Sequence, residues 1–142
     1  MKTTLLLLTA FFAVTLKTEV FTQNEPLLTL VTTIDPKDAS QIVFEPEGTL
    51  EISYWKNAYA QITIQIPDNG FSRQQLKALV PLGIFKIEPV IKDGSLHLTM
   101  PGQAKNVSIN GKKVIGHLNF ELQLPAGIKV NATAAVPSDS NS

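Results

Sequence analysis

The 142-residue sequence contains no cysteine. That absence excludes disulfides, a zinc–thiolate site, a cysteine nucleophile and a lipid-modified cysteine anchor. It also lacks a net charge, because 12 lysines and arginines balance 12 aspartates and glutamates. Phosphate recognition needs a basic surface excess, so nucleic acid is not an expected partner. A polybasic membrane patch is excluded on the same ground. No apolar run reaches the ~20 residues that a membrane-spanning helix requires. There is no Gly-x-Ser-x-Gly elbow, no His-Glu-x-x-His pair and no glycine-rich phosphate loop. The acids stand singly, at turns or on polar strand positions, so nothing in the sequence nominates the spaced pair of a glycosidase. An enzyme is therefore not expected, and nothing calls for a cofactor or a metal.

What is present begins with an export leader. Lys2 gives a short positive start and Leu5 to Leu16 an apolar stretch too short to span a bilayer. Val20 and Thr22 fit the −3 and −1 positions of a cleavage site before Gln23. Residues 1–22 thus read as a signal peptide, residues 23–136 as one β-rich domain and residues 137–142 as a disordered tail. Removing the leader takes away Lys2, Lys17 and Glu19 and leaves the remainder one charge negative. The expected location is exported: periplasm, cell surface or outside the cell. Small exported eukaryotic domains are commonly rich in disulfides, so a cysteine-free exported chain points toward a bacterium.

The domain is written in alternation. Leu50, Ile52 and Tyr54 interleave with Glu51, Ser53 and Trp55, and Ile62, Ile64 and Ile66 interleave with Gln61, Thr63 and Gln65. A period of two buries one strand face and wets the other. Leu27–Ile34 and Ile42–Phe44 read as further strands. Three runs, Phe85–Ile91, Leu96–Met100 and Leu118–Leu124, are separated by Asp93-Gly94 and Asn110-Gly111, dipeptides that favour the positive φ of tight hairpin turns. They read as one antiparallel sheet. Ile128–Ala132 is the last expected strand. One helix is expected over Ser72–Val80, with Ser72 as N-cap, Gln75 completing a capping box and Pro81 ending it.

The fold class follows as mainly β: an antiparallel, two-layer, sandwich-like domain with one short helix. A single β-solenoid is the alternative. The expected core is Leu50, Ile52, Ile62, Ile64, Ile66, Leu76, Phe85, Ile87, Leu96, Leu98, Met100, Leu118, Phe120, Leu122 and Leu124.

Two constellations bear on function. Tyr54, Trp55 and Tyr59 cluster around one loop, and rings on a sheet surface can stack on sugars or enter a partner's pocket. They form the candidate interaction surface, against the simpler reading that Tyr54 is core and Trp55 covers an edge. His97 and His117 have polar parity, and on neighbouring strands they could meet Glu121 and bind zinc. Alternation alone explains those positions, and no metal site is assigned.

The run Gly94-Ser95-Leu96-His97-Leu98-Thr99-Met100-Pro101, then Val107-Ser108-Ile109-Asn110-Gly111, then Leu122-Gln123-Leu124-Pro125-Ala126-Gly127-Ile128-Lys129-Val130, resembles a known type. It is similar to exported all-β domains of Bacteroidetes-type bacteria, among them auto-transporter adhesin head domains. The chain departs from them by lacking glycine-dense rungs and by carrying the helix. The resemblance implies an exported, non-catalytic domain and transfers no functional residue. The expected role is an interaction or structural module of the cell envelope, with a protein or glycan partner. The alternative is a carrier holding an apolar or carbohydrate ligand between the layers.

Overall fold

The alternating segments form strands because every second side chain is apolar and needs a covered face. In the computed structural model, which describes residues 25–137, these are β1 (Leu28–Ile34), β2 (Gln41–Phe44), β3 (Gly48–Trp55) and β4 (Ala60–Ile66). Helix α1 (Arg73–Leu79) and a 3-10 turn (Val80–Leu82) follow. The second half carries β5 (Glu88–Lys92), β6 (Ser95–Thr99), the one-turn helix α2 (Pro101–Ala104), β7 (Ser108–Ile109) and β8 (Lys112–Lys113). It ends with β9 (Asn119–Pro125), β10 (Lys129–Ala132) and β11 (Ala135–Pro137). The expected leader, and residues 138–142 of the expected tail, lie outside the described residues. Pro137, assigned to that tail, is the last residue of β11 and pairs with Leu50.

The chain is mainly β and layered, as expected. One sheet has five strands in the order β1-β4-β9-β3-β11, and another has four in the order β10-β2-β6-β5. The pairing is mixed and not antiparallel throughout. β2–β6, β10–β2, β3–β9 and β11–β3 run parallel. The chain steps from the four-stranded sheet to the five-stranded one three times: β2 to β3, β6 to β9, and β10 to β11. These steps stack on one another as rungs. Backbone bonds carry the ladder around the corner, from Glu45 N–H to Leu98 O and from Thr133 N–H to Phe44 O. The rungs do not continue into a solenoid, because β4 lies antiparallel on β9 and β5 antiparallel on β6.

The three runs expected in one sheet are divided. β6 belongs to the four-stranded sheet and β9 to the five-stranded one. Both turn dipeptides have positive φ at both residues, as their chemistry requires. Asp93-Gly94 joins β5 to β6, but Asn110-Gly111 closes only the small β7–β8 hairpin. Phe85 and Ile87 are buried ahead of β5, whose own five residues are all exposed. Helix α1 keeps its capping box: Gln75 N–H donates to Ser72 Oγ at 3.1 Å, and Ser72 N–H donates to Gln75 Oε1 at 2.8 Å. Leu76 is the helix's fully buried residue.

The core lies between the two sheets, with Phe44 and Phe120 in edge-to-face contact at 5.1 Å. All expected core residues are buried except Ile52, which is 39% exposed. β11 covers β3 only from Gly48 to Leu50. Beyond that point β3 is a sheet edge, and its inward-facing Ile52 and Tyr54 are open from the side.

Candidate functional site

The outward positions of the five-stranded sheet assemble a broad polar surface from residues distant in sequence. Strand register sets them in rows. Thr33, Gln61, Gln123 and Ser53 make one; Val31, Thr63, Glu121 and Glu51 the next; Thr29, Gln65, Asn119 and Thr49 the third. Strand spacing of ~4.8 Å and a rise of ~3.3 Å per residue give a face roughly 20 Å on a side. None of its five strands contains a lysine or arginine. Its side chains are mostly amides and hydroxyls, which both donate and accept hydrogen bonds. Gln61 Nε2 donates to Gln123 Oε1 at 3.5 Å along one row. Glu51 and Glu121 stand in register on neighbouring parallel strands, and such like-charge neighbours make the centre of the face repel anions.

Two of the three candidate aromatics lie at one end of this face. Trp55 has the outward parity of Glu51 and Ser53 and is in register with Pro125. Its Nε1 donates to the carbonyl of Tyr59 at 2.8 Å, and the two rings meet edge to face at 5.0 Å. The hydrogen bond and the ring contact hold the indole in one orientation. Tyr54 points to the opposite side of β3, is 55% exposed, and donates through Oη to Ile128 O at 3.2 Å. The cluster read from the sequence is thus a pair, Trp55 and Tyr59, with Tyr54 apart from it.

The histidines do not converge. His97 lies in the four-stranded sheet, its Nδ1 3.4 Å from Glu45 Oε1. The His117 Nε2 is 2.9 Å from Thr49 Oγ1, at the end of the polar face away from Trp55. Among the described residues no three His, Asp or Glu side chains gather as a metal-binding group.

Sequence reasoning recognised the wet positions of β3 and β4 but did not bring them together with those of β1 and β9. The usable signal was the absence of basic residues from every one of these strands. The carrier alternative requires space between the layers. Phe44 and Phe120 are in ring contact there, and a groove of about 430 Å³ opens between β1 and β5, bordered by Thr32, Ile34, Ile87, Ile91 and Leu96. Among the described residues no helix is long and apolar enough to cross a membrane.

No family model matches the sequence, and no curated protein matches it. Solved structures do. One is described as a "putative cell adhesion protein" from Clostridium sporogenes, 19% identical, with a TM-score of 0.42 over 76% of this chain. Another is a "putative adhesin" from Bacteroides fragilis, 14% identical, with a TM-score of 0.42 over 78% of this chain. A third, a "putative adhesin" from Parabacteroides merdae, is 17% identical with a TM-score of 0.39 over 73%. This chain spans 46%, 41% and 35% of those three chains respectively.

Proposed function

We propose that this chain is an exported, non-catalytic interaction module of the bacterial envelope that binds a glycan through the outer face of its five-stranded sheet. The observation that carries the reading is the composition of that face. Rows of Thr, Gln, Ser and Asn are free of basic side chains and end at an oriented Trp55–Tyr59 pair. Amides and hydroxyls match sugar hydroxyl groups in both hydrogen-bonding senses, and aromatic rings stack on the apolar faces of sugars. The adjacent Glu51 and Glu121 favour a neutral or amine-bearing polymer over an acidic one. Export is supported by the leader-like pattern of residues 1–22, and a non-catalytic role by the absence from the sequence of a nucleophile elbow or a metal-binding motif.

The test is retention of the full chain on insoluble cellulose and chitin, with alginate beads as the acidic comparison. Retention is expected on the neutral polymers and not on alginate. Trp55→Ala should weaken it about tenfold or more, equivalent to about 1.4 kcal/mol. Tyr54→Ala, on the other side of β3, should leave it unchanged. Equal binding by wild type and a folded Trp55→Ala protein, or a preference for alginate, would overturn the proposal.

A further inference from the structure

Every sheet must end somewhere, and an edge strand offers unpaired N–H and C=O groups to any strand that fits. Proteins ordinarily blunt such edges with charge or proline. Among the described residues the edges of the two large sheets are blunted with one exception. β5 carries Glu88, Pro89 and Lys92, β10 carries Lys129, β11 ends on Pro137, and the open half of β3 carries Glu51. β1 has none of these. Its seven residues, Leu-Thr-Leu-Val-Thr-Thr-Ile, contain no charge and no proline, yet it is the outermost strand of its sheet.

β1 is open on both sides at its centre: Val31, on the outward side, is an apolar residue 59% exposed, and Thr32, which faces inward, is exposed where a half-buried strand would not be. Thr32 borders the groove of about 430 Å³ that Ile87, Ile91 and Leu96 line from the other sheet.

We propose that β1 pairs antiparallel with β1 of a second copy of this chain across a two-fold axis at Val31. The strand is close to a palindrome by residue type, which is what an isologous antiparallel pairing demands. With Val31 opposite itself, Leu28 falls opposite Ile34, Thr29 opposite Thr33, and Leu30 opposite Thr32. The outward side then matches Val with Val and Thr with Thr, both favourable cross-strand pairs. On the inward side, Leu30 of the second copy comes beside Thr32, at the mouth of the apolar groove. The pairing joins the two five-stranded sheets into one of ten strands and makes their outer faces continuous. It stands independently of what that face binds.

The absence of native cysteine makes the test clean. Directly opposed residues on antiparallel strands lie ~4.5–5.5 Å apart at Cα, within the range that a disulfide bridges. The full chain carrying Val31→Cys should form a covalent dimer under mild oxidation at least about tenfold faster than one carrying Val90→Cys. Val90 is a fair reference because it is similarly exposed, at 51%, on a protected edge. Sedimentation equilibrium of the wild-type chain should give twice the chain mass. Val31→Lys, which sets two like charges opposite each other, should weaken the dimer at least about tenfold. Three results would overturn the inference: a wild-type chain monomeric up to its solubility limit, equal cross-linking rates at the two positions, or a dimer indifferent to Val31→Lys, which would use another surface. Should Val31→Lys fail to fold, the comparison of cross-linking rates decides alone.

Discussion

Replacing Gly48 by alanine probes the rung stack at its tightest point. Gly48 opens β3 immediately after the corner from β2, with φ of +148°. A Cβ placed there would lie 2.3 Å from the Leu118 carbonyl oxygen and 2.9 Å from the Phe120 ring. Even a weak C–H···O contact relaxes only at ~3.3–3.6 Å, so the two backbones must part by about 1 Å. The bond from Thr49 N–H to Leu118 O, now 3.0 Å, spans the same gap and would lengthen beyond hydrogen-bonding range. Backbone strain contributes ~1–3 kcal/mol. Leaving a buried acceptor unpaired contributes a further ~1–3 kcal/mol. A total of about 2–6 kcal/mol is a large part of the ~5–15 kcal/mol stability of an ordinary domain. Gly94→Ala separates the two causes. Gly94 has φ of +77° in the β5–β6 turn, and a Cβ there meets nothing within 4 Å. It should cost only the ~1–2 kcal/mol of left-handed backbone. Urea unfolding, followed by the fluorescence of the single tryptophan and by far-UV circular dichroism, measures both. At the middle of these ranges the two variants differ by about 2.5 kcal/mol, which a slope of ~1–3 kcal/mol per molar urea translates into a midpoint roughly 1 M lower for Gly48→Ala. Equal midpoints for the two variants would refute the argument that the corner is sterically closed.

Two further outcomes follow from packing and capping. Phe120→Ala removes a ring that is 2% exposed and in edge contact with Phe44, and should cost ~3–5 kcal/mol by chemical denaturation. Ile52→Ala, at a position of the same inward parity on a neighbouring strand, should cost far less because β11 leaves it open. Ser72→Ala breaks the capping box of α1 and should cost ~1 kcal/mol, seen as faster hydrogen exchange at the Gln75 amide. Unchanged exchange there would show that the cap does not hold the helix.

The proposed glycan site rests on the polar face of the five-stranded sheet. Its residues come from four strands spread between Thr29 and Gln123. Alternation told that Gln61, Thr63 and Gln65 were wet. It gave no hint that Glu121 would stand beside Glu51, because the two are far apart in sequence and the strands joining them are parallel. Likewise Tyr54 and Trp55 are consecutive and so face opposite sides of one strand, which divided the aromatic cluster as soon as the strand was formed.

What the residues determined unaided was local. Strand segments, both positive-φ turns, the capped helix and the buried parity of nearly every core position depend on interactions within a few residues. Backbone torsion preferences and side-chain period act at that range. The tertiary structure alone decided which strands became neighbours. Backbone ladders are indifferent to side-chain identity, so Leu96–Met100 and Leu118–Leu124, equal in parity, carry no mark sending one to each sheet. That choice came from closing three rungs around the Phe44–Phe120 contact, an arrangement in which distant segments must fit together at once.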